Sequence, residues 1–226
     1  MPWLALTLAA MLAAQAAAPS SVPSQLEGPE VSSPGPDAWH EDALASKLFL
    51  SGTGRSLRRG QVYAGVYQIL VPVLHVGVTD RISVGIGKPF FIFSPDVWIV
   101  PKVQVFRSAR TNVAAGVLHF SIARRRDVRI LFGAGTFGTA DRAVTVGGGW
   151  TPGSGAPVLI LGAERRTSRR LKAITENFLF ADGAAVMLGV RVVGDRTFFF
   201  EAGGVLALVR RSLPMPGLLF SFIWAG

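Results

Sequence analysis

His119 and Ser121 stand two residues apart in a segment of alternating character, so one face of a β-strand would carry both. With Glu176 or Asn177 as an orienting group they supply the parts of a Ser-His-acid or Ser-His-Asn hydrolase, a chemistry found in lipid-acting membrane barrels. Residues two apart on a strand are about 6–7 Å apart at Cα, which does not by itself make a hydrogen bond between them. The chain has three histidines and no cysteine, so there is no disulfide and no Cys/His cluster of metal-site type. GAGTFG at 133–138 shares only its glycine content with a phosphate-binding loop, because no helix follows and no Lys-Ser/Thr completes it. Phe90, Phe91, Ile92, Phe93 and Trp98 form an aromatic patch, read as a belt at an outer membrane interface in preference to a hydrophobic ligand gate. No catalytic residue, cofactor or metal ligand is assigned, and the pattern does not single out an enzyme.

Seven charged residues fall inside segments that otherwise read as strands: Lys102, Arg129, Glu164, Lys172, Glu176, Arg191 and Glu201. If those strands cross a bilayer, the charges belong in a lumen, because an Arg or Lys facing lipid at mid-membrane costs about 2–4 kcal/mol. Bases and acids so placed either pair into a network that closes the barrel or line a wet, weakly anion-preferring passage. The structural network is the simpler of the two, and the sequence leaves both open.

The elements that would position these residues show a period of two from Gln61 onward. Ile82, Val84 and Ile86 alternate with Ser83, Gly85 and Gly87, and Val186, Leu188, Val190 and Val192 alternate with Met187, Gly189 and Arg191. Val128, Ile130 and Phe132 alternate with Arg129, Leu131 and Gly133. Such alternation marks strands with one apolar and one more polar face. It predicts about twelve, near 61–69, 72–79, 82–88, 98–107, 111–122, 127–138, 142–150, 157–165, 171–180, 185–193, 197–206 and 217–225. Many reach the length of about 9–11 residues that crosses a bilayer at a tilt. Every second connection is a tight polar turn, as at Thr79-Asp80-Arg81, Ser108-Ala109-Arg110, Thr139-Ala140-Asp141 and Gly194-Asp195-Arg196, with TSRR at 167–170. The intervening connections are longer and more varied, the asymmetry of a membrane barrel. An even strand number puts both ends on the short-turn, periplasmic side. Gly133, Gly135, Gly147, Gly149 and Gly189 fit the crowded inner face of a narrow barrel.

Residues 1–16 read as a signal peptide: Leu4 to Ala14 is an apolar core and Ala14-Gln15-Ala16 a small-x-small cleavage pattern, although no Lys or Arg precedes the core. Residues 17–60 read as a Pro/Ser-rich disordered leader, in which Ala43 to Leu50 forms a short helix or leads into the first strand. Residues 61–226 form the barrel. All 23 Lys and Arg lie after residue 46, while five of the 14 acids precede residue 43. The basic residues cluster in turns, such as Arg124-Arg125-Arg126, without interleaved aromatics. That pattern suits lipopolysaccharide and anionic headgroups at a membrane edge rather than nucleic acid.

GVTDRISVGIG (77–87), PKVQV (101–105), GAGTFGTADRAVTVGGGW (133–150) and SRRLKAITENF (168–178) occur in that order. On these segments the stretch Tyr63 to Asp195 resembles a family of bacterial outer-membrane β-barrel proteins of Bacteroidetes type. The resemblance implies a membrane barrel and carries neither an activity nor catalytic residues. At the C-terminus Gly217, Phe220 and Phe222 match a barrel-assembly signal, followed by Trp224, although the chain ends in Ala225-Gly226 rather than at an aromatic. The expectation is an all-β, antiparallel up-and-down transmembrane barrel in a bacterial outer membrane, with a structural or narrow-pore, porin-like role. Its partners would be outer-membrane lipid, lipopolysaccharide and the barrel-assembly machinery. The alternatives are a soluble periplasmic ligand-binding barrel and an outer-membrane lipid-modifying hydrolase.

Overall fold

The computed structural model describes residues 42–68, 71–88, 96–122, 126–152, 155, 157–193, 197–210 and 212–226. The expected signal peptide, the leader as far as residue 41, Arg124, Arg125, the turn Gly194-Asp195-Arg196 and the aromatics Phe90, Phe91, Ile92 and Phe93 lie outside them.

Twelve strands follow in order: β1 (Val62–Tyr67), β2 (Val71–Gly77), β3 (Ile82–Gly87), β4 (Val97–Arg107), β5 (Thr111–Ile122), β6 (Arg126–Gly138), β7 (Arg142–Trp150), β8 (Pro157–Arg166), β9 (Leu171–Phe180), β10 (Gly183–Val193), β11 (Phe198–Val209) and β12 (Met215–Ala225). Each pairs antiparallel with its neighbours in sequence, and β1 closes on β12 from Tyr63 opposite Ala225 to Tyr67 opposite Ser221. The fold is therefore all-β, a closed antiparallel up-and-down barrel, as the alternation predicts.

The tight turns share one device. Thr79 Oγ1 accepts the N–H of Ile82 at 2.9 Å, Ser108 Oγ that of Thr111 at 2.9 Å, and Thr139 Oγ1 that of Arg142 at 3.3 Å. A Ser or Thr at the first turn position captures the backbone N–H three residues on, which reverses the chain without a long loop. Both ends of the barrel lie on this rim, where Val62 and Gly226 exchange backbone hydrogen bonds at 2.9 Å.

Alternation divides each wall into two faces. Outward stand Leu74, Ile82, Ile86, Ile99, Val103, Leu131, Phe137, Val146, Leu159, Leu188, Phe200, Leu206, Leu218, Phe222 and Trp224, all exposed. Inward stand Ser83, Lys102, Asn112, Thr136, Thr145, Glu164, Lys172, Glu176, Arg191, Glu201 and Ser221, all buried. The usual arrangement of a water-soluble core is inverted. Among the described residues one register shift interrupts the pattern, a bulge between Gln104 and Phe106 in β4.

The inside is not empty. Residues 42–57, expected to belong to a disordered leader, enter the lumen from the short-turn rim and return to it. Ala43 to Leu50 is not a helix: it begins as a turn, with Ala45 N–H on Asp42 O and Lys47 N–H on Leu44 O, both 3.0 Å. A Lys47–Gly52 bridge then folds the segment into a hairpin, with Leu48 N–H on Ser51 O at 2.9 Å and Thr53 N–H on Ser46 O at 3.0 Å. Leu44 and Leu57 pack with Tyr63, Val193, Phe199 and Ile223, while Leu48 and Phe49 pack with Ile174 and Met187. Leu48 fits because Gly162 has no side chain: a Cβ there would lie 2.1 Å from Leu48 Cδ1.

On β6 the two faces are the reverse of those expected. Thr136 faces inward and bonds to Gly54 of the plug, so Val128, Ile130 and Phe132 share the lumen face and Arg129, Leu131, Gly133 and Gly135 face out. Phe132 and Ile130 occupy the space that Cβ atoms on Gly116 and Gly149 would need. Away from the plug this part of the lumen is apolar, so hydrophobicity alone does not tell inside from outside there. Trp98 is likewise turned inward, over Gly87 and 5.8 Å from His75, instead of forming part of an outer belt. His75 stacks on Tyr63 at 4.5 Å, and Trp98 continues to Phe120 at 6.5 Å.

Candidate functional site

Six of the seven charged strand residues meet in the lumen, and the plug is what they hold. Arg191, wholly buried, sits at the centre. Its Nη1 reaches Asp42 Oδ2 and Leu44 O at 3.1 Å each, and its Nη2 donates to Lys47 O at 3.2 Å and Leu48 O at 2.9 Å. Nε donates to Glu201 Oε1 at 2.8 Å. One guanidinium thus binds two carboxylates and three carbonyls, using the planar fork that suits Arg to such sites.

Around it the charges interlock. Lys172 bridges Glu164 at 2.8 Å and Asp42, and Arg55 of the plug closes on Glu164 at 2.7 Å. Lys47 pairs with Glu201 at 2.7 Å and lies 4.8 Å above the Tyr67 ring, while the Ser221 hydroxyl donates to Glu201. Glu176 has a different task. Its carboxylate accepts the N–H groups of Phe49 and Leu50 at 2.8 Å and of Ser51 at 2.6 Å, capping the hairpin tip. Lys102 donates to Ser46 O at 3.0 Å and Arg55 O at 2.6 Å, tying together the two legs of the plug.

Each buried charge thus has a partner, which burial demands. Burial raises the Asp42 carboxyl, but the charges of Arg191 and Lys172 outweigh it and hold Asp42 well below the usual carboxylate range. Burial pushes the Lys47 ammonium down to about 8, against the pull of Glu201.

Arg129 does not join this cluster. It is exposed on the outer face of β6, opposite His119 of β5, three residues from the strand's long-loop end. His119 and Ser121 share that outer face. Glu176 is inside the barrel on β9 and committed to the plug, and Asn177 is on the outer face of β9, donating to Leu161 O at 3.2 Å. The geometry does not bring the four together as a hydrolytic site. In β12, Phe220 and Phe222 point outward with Trp224, and Gly217 belongs to the inner set.

The charges that sequence reasoning missed are Asp42, Lys47 and Arg55, all on the plug. A signal was present: ALASKLFL at 43–50 is too apolar for a solvated tail, and the strand charges had no complete set of partners among themselves. Fold and site together define a twelve-stranded antiparallel β-barrel closed from within by the segment that precedes its first strand. No protein-family model matches the chain, and no curated protein matches it.

Proposed function

We propose that the protein is an integral outer-membrane β-barrel, closed in its resting form by residues 42–57. The observation that carries this reading is the inversion of polarity: an apolar outer wall around a lumen of buried ion pairs. Monomeric soluble proteins rarely expose contiguous apolar patches beyond a few hundred Å², whereas here apolar side chains stand outward on strands all round the barrel. Outward charges occur toward the ends, with Arg142 and Arg165 paired at the short-turn rim and Arg129 near the other. That is where the cost of facing lipid falls away. No helix among the described residues is long and apolar enough to cross a membrane.

In this reading lipid and lipopolysaccharide surround the wall, and the barrel-assembly machinery inserts it through the β12 signal of Gly217, Phe220 and Phe222. The short-turn rim faces the periplasm. The role is structural, or that of a narrow pore gated by the plug. The test is gel migration of outer-membrane fractions with and without boiling. A heat-dependent shift in the membrane fraction supports the proposal, and recovery in the soluble periplasm after washing overturns it in favour of a soluble ligand carrier.

A further inference from the structure

The plug stops short of filling the barrel. Leu50 at its hairpin tip is 52% exposed, although it lies inside the wall. Above the tip, toward the long-loop end, β4, β5, β6 and β8 turn six side chains into the lumen: Trp98, Leu118, Phe120, Ile130, Phe132 and Ile160. All six are half-buried, and none belongs to the two apolar clusters that the plug forms with the wall. They begin directly over the plug, since Gly162, two residues below Ile160, is the glycine that receives Leu48.

Glycines keep this space open. Trp98 lies across Gly87, Phe132 across Gly116 and Ile130 across Gly149, each filling the place of a Cβ on a neighbouring strand. Strand glycines commonly mark such close approach. The large side chains therefore lie along the wall instead of meeting at the barrel axis. The surface they form is apolar and aromatic, unlike the ion-paired lumen around the plug and unlike the polar interior of an aqueous channel. Water against such a wall is unfavourable, whereas a concave apolar and aromatic lining is typical of small-molecule sites. The closed strand ladder keeps lipid out, and a twelve-stranded barrel partly filled by its own plug has no room for a folded partner. The occupant that fits is a small molecule.

We propose that this space is a binding site for a small uncharged apolar solute, admitted through the long-loop mouth and held above the plug against the inner face of β4, β5, β6 and β8. Its role as the receiving end of an uptake route rests on the outer-membrane reading above. The ion-paired plug beneath it is a barrier that such a solute crosses only when the plug moves.

The test is quenching of Trp98, as the sole tryptophan of the full chain, by bromohexane in the presence of lipid vesicles. Saturable quenching is expected, and unbrominated hexane should reverse it. Hexanesulfonate, the same chain with a charge, should compete at least about tenfold less well. Leu118→Gln and Ile160→Gln each put an amide into the lining and should weaken binding about tenfold, with heat-dependent gel migration verifying the fold. Quenching that rises linearly with bromohexane, without saturation or reversal by hexane, overturns the proposal, as does equal binding by the parent and both variants. Equal competition by hexanesulfonate would overturn the assignment to an apolar solute. Membrane location is read separately, from Trp224 and brominated lipid, so the site and the membrane assignment can fail independently.

Discussion

Replacing Arg191 by methionine should release the plug while leaving the wall closed. The guanidinium spans the plug at Asp42, Leu44, Lys47 and Leu48 and the wall at Glu201. Its loss leaves Asp42 with Lys172, and Glu201 with Lys47 and Ser221, and strips three buried carbonyls of a donor. Removing one partner from a buried ion pair costs about 3–5 kcal/mol, because the other charge stays desolvated. The wall itself keeps its backbone ladder between β10 and both neighbours. The penalty therefore falls on plug seating. The chain has no cysteine, so Ser46→Cys, on a buried plug residue, gives a single reactive thiol. Its labelling by a charged thiol reagent reports how often the plug opens. With Arg191→Met the rate should rise by roughly two to three and a half orders of magnitude. Arg191→Lys, which keeps the charge but loses the fork, should fall between. Equal labelling in parent and Arg191→Met, with the barrel still shifting on boiling, would refute the reasoning.

Gly162→Val places atoms where Leu48 Cδ1 lies, 2.1 Å from the absent Cβ. Overpacking of about 1–3 kcal/mol should speed Ser46→Cys labelling by roughly 5- to 150-fold. The Asp42 carboxyl is depressed when the plug is seated, so the released plug binds the proton more readily. Its contribution is full above about pH 4 and is lost as pH falls further. Plug amides should exchange faster at pH 3 than intrinsic rates explain, and Asp42→Asn should remove the contribution Asp42 makes to that acid limb. Lys47 has a dependence of the same sign in a higher pH window: its seated value of about 8 lies below the ordinary 10.5, so seating should strengthen as pH rises between them, and Lys47→Met should abolish that gain in exchange protection. Deleting residues 42–57 should give steady conductance in planar bilayers where the full chain is nearly silent. Equal conductance would show that the plug does not close the lumen.

The strands were legible because one face of most of them is uniformly apolar. Ile82, Val84 and Ile86, or Val186, Leu188, Val190 and Val192, declare their outward side by composition alone. The tight turns were legible because Ser or Thr recurs at their first position. β6 was misread because its inner residues Val128, Ile130 and Phe132 are as apolar as its outer ones, and Arg129 then imitates a lumen charge. The bulge left a trace in the adjacent apolar pair Val105 and Phe106, which breaks the alternation, yet the face that Arg107 takes depends on pairing register. The lumen charges were found, but not their purpose. Asp42, Lys47 and Arg55 are their partners across more than a hundred residues of sequence in most cases, and no local period carries that information.

The most direct measurement is tryptophan quenching in bilayers of lipids brominated on the acyl chains, using two variants of the full chain that retain either Trp224 or Trp98 as the sole tryptophan. Trp224 points outward from β12 and Trp98 inward from β4. A lipid-embedded barrel with its interior closed to lipid requires strong quenching of Trp224 and little of Trp98. Trp224 fluorescence unaffected by the bromines, in protein whose heat-dependent migration shows it folded, would contradict the membrane assignment.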